Sequence, residues 1–125
     1  MNTQPASPPR SATVVDLAAL PPTPCPCGES RRAFLEEGAG AFSLHLVEIA
    51  VDSRRHYHKR QTEVYYVLSG EGTLEIEGKV HTLRPGLAVH IPPGVRHRAV
   101  PKPGVTLKIL NYVLPRFDAA DEFED

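Results

Sequence analysis

Three shortages narrow the reading of this 125-residue chain before any motif is considered. Charge of either sign is nearly balanced: the formal net charge is −1 and the pI about 6.6, so no global field favours nucleic acid or a membrane surface. Cysteine is scarce. Cys25 and Cys27 stand together in "TPCPCGES", whereas a disulfide framework needs more pairs at wider spacing. A closed zinc site needs four ligands, and no second Cys or His pair is placed to complete one with these thiols. They read as two reduced thiols in a turn, with a redox role as the alternative. Long apolar runs are also missing, none approaching the roughly 20 residues of a membrane span. The opening "MNTQPASPPR" lacks the apolar core of a secretion signal, so the expected compartment is the cytoplasm.

What the chain has in quantity is turn formers, 13 prolines and nine glycines, which favour many short strands over a helical bundle. Its length suits one domain. Residues 1–24 read as an N-terminal tail, partly disordered, with 1–12 mobile and "TVVDLAAL" forming a short helix or strand. Residues 25–40 form an N-terminal arm. From 41 to 115 the apolar segments "AFSLHLVEIAV", "EVYYVLSG", "GTLEIEG", "KVHTLRPG", "LAVHIPPG" and "VTLKILNYVLP" follow one another, most closed by Gly or Pro. Strands with a turn signal every eight to twelve residues indicate an all-β sandwich or barrel. The remaining residues, 116–125, are acidic. They form either a solvated tail or an arm anchored by Phe117 and Phe123.

Chemistry concentrates in "RRHYHKRQTEVYYVLSG". Residues i and i+2 of a strand share a face, so His56 and His58 project together at a separation suited to two imidazoles on one cation. Glu63 lies five positions past His58, an odd offset that would send it to the opposite face of a continuous strand. For Glu63 to join the histidines, "KRQT" must turn. Glu63 then opens a new strand, with Tyr65 and Val67 on its own face and Val64, Tyr66 and Leu68 on the other. A second segment, "GLAVHIPPGVRH", runs from a strand into a Pro-Pro-Gly turn and places His97 at the start of the next strand. If the two hairpins are neighbours, His97 completes three imidazoles and one carboxylate. His45 is a candidate inward neighbour of that group, and His81 and His90 read as exposed.

These residues resemble the two motifs of a small single-domain cupin of the RmlC-like superfamily. The first, H-x-H, four residues, E, six residues, G, is filled by His56, His58, Glu63 and Gly70; the second, G, five residues, P-x-G, two residues, H, by Gly86, Pro92, Gly94 and His97. Ala50 stands where the first motif opens with Gly, and Pro101 where the second closes with Asn. The resemblance covers roughly residues 45–115. It implies a jelly-roll barrel (double-stranded β-helix), with His56, His58, Glu63 and His97 holding one divalent metal ion. It also implies a homodimer, with 29–35 or 13–20 adding to a partner's sheet edge.

Three neutral imidazoles and one carboxylate suit Fe, Mn, Ni or Co in octahedral coordination, and Zn is compatible with the same donors. Two open positions would then serve dioxygenase chemistry or Lewis-acid isomerase and lyase chemistry on a small polar or carboxylate-bearing molecule. A non-catalytic binding or sensor protein is the alternative, and fold alone does not decide between them. Tyr65 is the candidate for substrate contact or proton transfer, its other reading being a barrel-lining aromatic. Arg54, Arg55, Lys59, Arg60, Arg96 and Arg98 flank the set, and a field from them would favour an anionic molecule unless they pair with the acidic C-terminus.

Overall fold

Period-2 alternation with β-branched and aromatic side chains produces strands here where a run has one face to bury. The computed structural model describes residues 11–25 and 27–124; the mobile tail expected at 1–12 falls, for residues 1–10, outside them. Eleven strands are present among the described residues: β1 (Thr23–Cys25), β2 (Gly28–Ala33), β3 (Ser43–Ile49), β4 (His56–Tyr57), β5 (Thr62–Ser69), β6 (Gly72–Ile76), β7 (Lys79–Leu83), β8 (Ala88–Ile91), β9 (His97–Pro101), β10 (Leu107–Leu114) and β11 (Phe123–Glu124). Two 3-10 turns, Leu17–Ala19 and Ala119–Asp121, are the only helical elements among them. One sheet runs β1-β2-β3-β10-β5-β8 and the other β11-β4-β9-β6-β7, with antiparallel pairing throughout. This is the jelly-roll barrel that the motifs imply.

Strand β5 illustrates the patterning. Glu63, Tyr65 and Val67 are buried, Val64 is partly covered, and Tyr66 and Leu68 face out. Between the sheets, Val67, Leu74, Leu83, Leu107 and Ile109 form an almost fully buried apolar core. Gly70 closes β5 against it at φ +87°, and a Cβ there would meet the Thr106 carbonyl oxygen at 2.3 Å, so a side chain is excluded on two counts.

Residues 28–33, within the N-terminal arm, pair with β3 of their own chain from Gly28↔Ile49 to Ala33↔Leu44. The expectation that 29–35 adds to a partner's sheet edge is therefore corrected for 29–33. One edge of β2 is taken by β3 and, from Gly28 to Ser30, the other by β1, while Ser30 and Arg32 line the cavity. Of the two readings of the acidic C-terminal stretch, the anchored arm is the one observed. Phe123 stacks on Tyr57 with ring centroids 5.5 Å apart, Phe117 lies edge-on to His45 at 5.4 Å, and β11 pairs with β4.

Candidate metal centre

His56 opens β4 and faces His97 of β9 directly across the ladder, their ring centroids 4.3 Å apart. His58 follows β4, and the chain then turns through Lys59, Arg60 and Gln61 before β5 begins. The agent of that turn is Asp121, whose carboxylate accepts hydrogen bonds from the backbone N–H of Lys59 (2.9 Å), Arg60 (3.0 Å) and Gln61 (2.9 Å). Asp121 is buried, which alone would raise its pKa, but the three N–H donors outweigh burial and lower it. Glu63 thereby comes round to the histidines, as the odd offset requires. The second motif locks onto the first through Gly94, which at φ +84° donates its N–H to the His58 carbonyl at 2.6 Å.

Each ring is held by a backbone carbonyl. Nδ1 of His56 donates to Arg54 O (2.7 Å), Nδ1 of His58 to Asp121 O (2.6 Å) and Nδ1 of His97 to Val95 O (2.9 Å). A carbonyl only accepts, so the proton sits on Nδ1 and, in the neutral ring, Nε2 keeps its lone pair for the centre. His58 Nε2 lies 3.0 Å and His97 Nε2 3.2 Å from Glu63 Oε1, yet these three buried atoms make no hydrogen bond. Buried polar atoms left unpaired are costly, so three crowded around one point mark a place built for a cation. Donor atoms of His56, His58, Glu63 and His97 all lie within 4.8 Å of one another and can hold a metal ion. Asn111 fixes the other carboxylate oxygen, donating from Nδ2 to Glu63 Oε2 at 2.5 Å.

Electrostatics follow from this crowding. Burial, and then the proximity of His97, lowers the pKa of His56. Burial would lower His58 as well, but the Glu63 carboxylate beside it dominates and raises it to about 9. Glu63 itself, despite burial, is held well below the usual carboxylate range by His58 and His97. Tyr65 sits on the same face of β5 with its ring 6.2 Å from that of His97, and burial, then the Glu63 charge, raises its hydroxyl well above 10. His45 does face inward, and burial, then the Arg32 charge, lowers it to about 4. His81 and His90 are exposed.

Beside the four donors lies a cavity of about 280 Å³, lined among others by Tyr65, His45, Arg32 and Asn111. Cys25 and Cys27 also line it as free thiols, Sγ to Sγ 3.4 Å, so they face the cavity rather than merely filling a turn. The hydrogen bond from Cys27, opposed by burial, lowers Cys25 to about 6, while the same contact and burial push Cys27 up. Of the six flanking cations, Arg54 alone reaches the cavity wall, and it pairs with Glu124 at 3.3 Å. Arg60 pairs with Asp118 (2.8 Å) and Arg98 with Glu75 (3.6 Å), while Lys59 and Arg96 lie over the rings of Phe123 and Tyr57. Sequence reasoning missed Asp121, Asn111 and Arg32. Asp121 and Asn111 lie far along the chain from the residues they position, and Arg32 stands outside both motifs, in the polar run "GESRRA", which has no alternation to point it inward.

Comparison with known proteins agrees with this geometry. The cupin domain model matches residues 45–110. A crystal structure of a protein from Planctomyces limnophilus is 36% identical, with a TM-score of 0.84 over 91% of this chain and 97% of that one. An uncharacterized protein of Methanocaldococcus jannaschii is 28% identical over 61% of each chain, and an L-ectoine synthase of Aliivibrio fischeri is 38% identical over 46% of this chain and 47% of its own. The chain thus spans less than two thirds of the length of the curated relatives it matches. No helix among the described residues is long and apolar enough to cross a membrane. With its barrel, both motifs and the family model in agreement, the chain belongs to the cupin family.

Proposed function

We propose that this cupin is a metal-dependent enzyme, with one divalent ion held by His56, His58, Glu63 and His97, acting on a small polar or carboxylate-bearing molecule. The observation that carries the reading is the set of unpaired buried atoms, His58 Nε2, His97 Nε2 and Glu63 Oε1, with every ring fixed through Nδ1. A bound Fe, Mn, Ni, Co or Zn ion would supply Lewis acidity or, for the redox metals, dioxygenase chemistry. Tyr65 enters this reading as a neutral phenol at the cavity wall, able to donate a hydrogen bond to an oxyanion or to move a proton. L-ectoine synthases among the relatives support a catalytic role over a sensor role. The cytoplasm is its proposed compartment.

Metal analysis after anaerobic loading with Fe(II) and, separately, with Zn(II) tests the centre. One ion per chain is expected, and a protein that holds none after reconstitution overturns the reading. With candidate substrates supplied, oxygen uptake by the iron-loaded protein selects the dioxygenase branch, and turnover without uptake selects the isomerase and lyase branch. The homodimer belongs to the same proposal. Tyr66, Leu68 and Tyr112 stand on the outward face of the six-stranded sheet with 45%, 39% and 39% of their surface exposed, an apolar patch suited to a second copy. Light scattering at micromolar concentration should give twice the chain mass.

A further inference from the structure

The cavity has a second polar group of side chains, on the wall formed by the six-stranded sheet. Arg32 of β2 pairs with His45 of β3, His45 with Asn111 of β10, and Asn111 with Tyr65 of β5, so the four stand in one row across neighbouring strands. All four line the cavity. The next row towards the core is Ser30, Val47, Ile109 and Val67, almost entirely apolar. A barrel wall does not require polarity at this level, and the polar row calls for its own explanation.

Its donors and acceptors are only partly used. Arg32 carries its guanidinium 4.0 Å over the Phe117 ring, which helps hold the charge in place, yet its Nε is buried without a hydrogen-bond partner. No carboxylate pairs with it among the described residues. Asn111 is 8% exposed; its Nδ2 is taken by Glu63, and its Oδ1 has no partner. His45 Nε2 lies 2.8 Å from Ser43 Oγ, which already accepts the Phe117 N–H at 2.9 Å. The fully buried Ser43 hydroxyl then has its hydrogen to place, and His45 Nε2 accepts it, leaving the proton of the neutral ring on Nδ1. Two donors, one of them charged, therefore stand beside one acceptor. The cavity's other acidic side chains are engaged: Glu63 with the metal group, Glu124 with Arg54 and Glu122 near His56 at 3.7 Å.

We propose that Arg32 and His45 anchor the carboxylate of a small hydroxy acid while Asn111 Oδ1 accepts its hydroxyl hydrogen, so that the acid lies along the polar row with its reacting end at the metal group. This rests on the proposed metal-dependent function and names its substrate class. A guanidinium with an unpaired Nε–H suits a carboxylate, and a bound hydroxyl satisfies the one acceptor that an unsubstituted acid would leave bare. The flanking arginines outside the cavity play no part in this recognition.

Titration followed by NMR, on metal-free and on Zn(II)-loaded protein, tests it with three matched probes: 3-hydroxybutyrate, butyrate and butane-1,3-diol. Affinity should fall in that order. Arg32→Gln should weaken both acids by roughly 10- to 100-fold, the range of a hydrogen bond to a charged group, and leave the diol unchanged. Arg32→Lys should restore part of the loss. The Arg32 Nε–H resonance of the wild-type protein should shift as acid is added, a readout that holds even if a variant folds poorly. A diol that binds as well as the acids, no acid binding up to 50 mM, or unchanged acid affinity in folded Arg32→Gln overturns the proposal. Zinc loading together with any of these outcomes leaves the metal reading standing alone. Arg32-dependent acid binding by a protein that loads no metal supports the anchor and overturns the metal-dependent function.

Discussion

Residues 56–63 and residues 118–124 meet at the same centre but are encoded in different ways. The first stretch contributes three candidate ligands, two at the spacing of a strand face and the third beyond a turn. The second contributes none, and by composition it is an acidic terminus. Yet the carboxylate of Asp121 shapes the turn between His58 and Glu63, and its carbonyl fixes the His58 ring. Donor atoms must be few and strictly spaced, so they leave a motif. The groups that orient them need only one acceptor in the right place, which any returning segment can supply, so they leave none.

Substitution of the ligands should have the largest effect. His58→Ala or Glu63→Ala is expected to abolish stoichiometric metal binding while the barrel, whose core lies elsewhere, stays folded; metal analysis and circular dichroism read the two separately. Full occupancy in either variant would show that the unpaired atoms are not the binding group. Asp121→Ala should come next. It removes the acceptor of three N–H groups, one of them on the buried Gln61, at a cost of about 3 kcal/mol by the penalty for unpaired buried donors. It should also weaken metal binding by roughly 10- to 100-fold through the loosened His58 and Glu63. Denaturant unfolding and a competitive chelator titration measure the two. Loss of stability with unchanged metal affinity would reduce the arm to a clasp.

How far the sequence reaches follows the same division. Alternation in "EVYYVLSG" foretold which side chains of β5 turn inward, because a buried sheet face leaves a period-2 record. The odd offset between His58 and Glu63 foretold a turn at "KRQT", since one face cannot hold both on a straight strand. What makes the turn was illegible: Asp121 is about 60 residues away, and an aspartate among five carboxylates carries no sign that it is buried. Asn111, within "VTLKILNYVLP", read as strand but not as the holder of Glu63, because cross-strand register is a property of the folded sheet. The cations misled in the opposite sense. Six of them crowd the motifs in sequence, whereas among the described residues the cation facing the cavity without a carboxylate is Arg32.

Acid should distinguish the polar row from the metal group. Burial, then the Arg32 charge, lowers the pKa of His45 to about 4, against 6.5 in the unfolded chain. The unfolded state therefore takes up the proton first as pH falls. The stability His45 contributes is complete above about pH 6.5 and drains away between 6.5 and 4. His58 runs the other way in metal-free protein: raised to about 9, its contribution is complete below 6.5 and is lost as pH rises through 9. Below pH 6.5 the slope thus separates the two histidines. The melting temperature of metal-free wild type should approach that of His45→Gln as pH drops from 7 to 4.5. A constant gap would mean that His45 is not held neutral in the fold.

The smallest effect is expected at the surface, where Arg54, just ahead of the first region, meets the second. Arg54 donates to both carboxylate oxygens of Glu124 at 3.3 Å, but their side chains are 75% and 56% exposed. An exposed ion pair gains little against water and salt, so Arg54→Ala should change stability by less than about 0.5 kcal/mol. Metal affinity should not move, because the Arg54 contact to His56 runs through its backbone carbonyl, which alanine keeps. Urea unfolding at low and high salt, together with the chelator titration, checks both statements. A marked loss of metal in Arg54→Ala would mean that the arm is held to the centre by its rim. Asp121 would then share its positioning role with the surface pair, and the line between the two regions would have to be redrawn there.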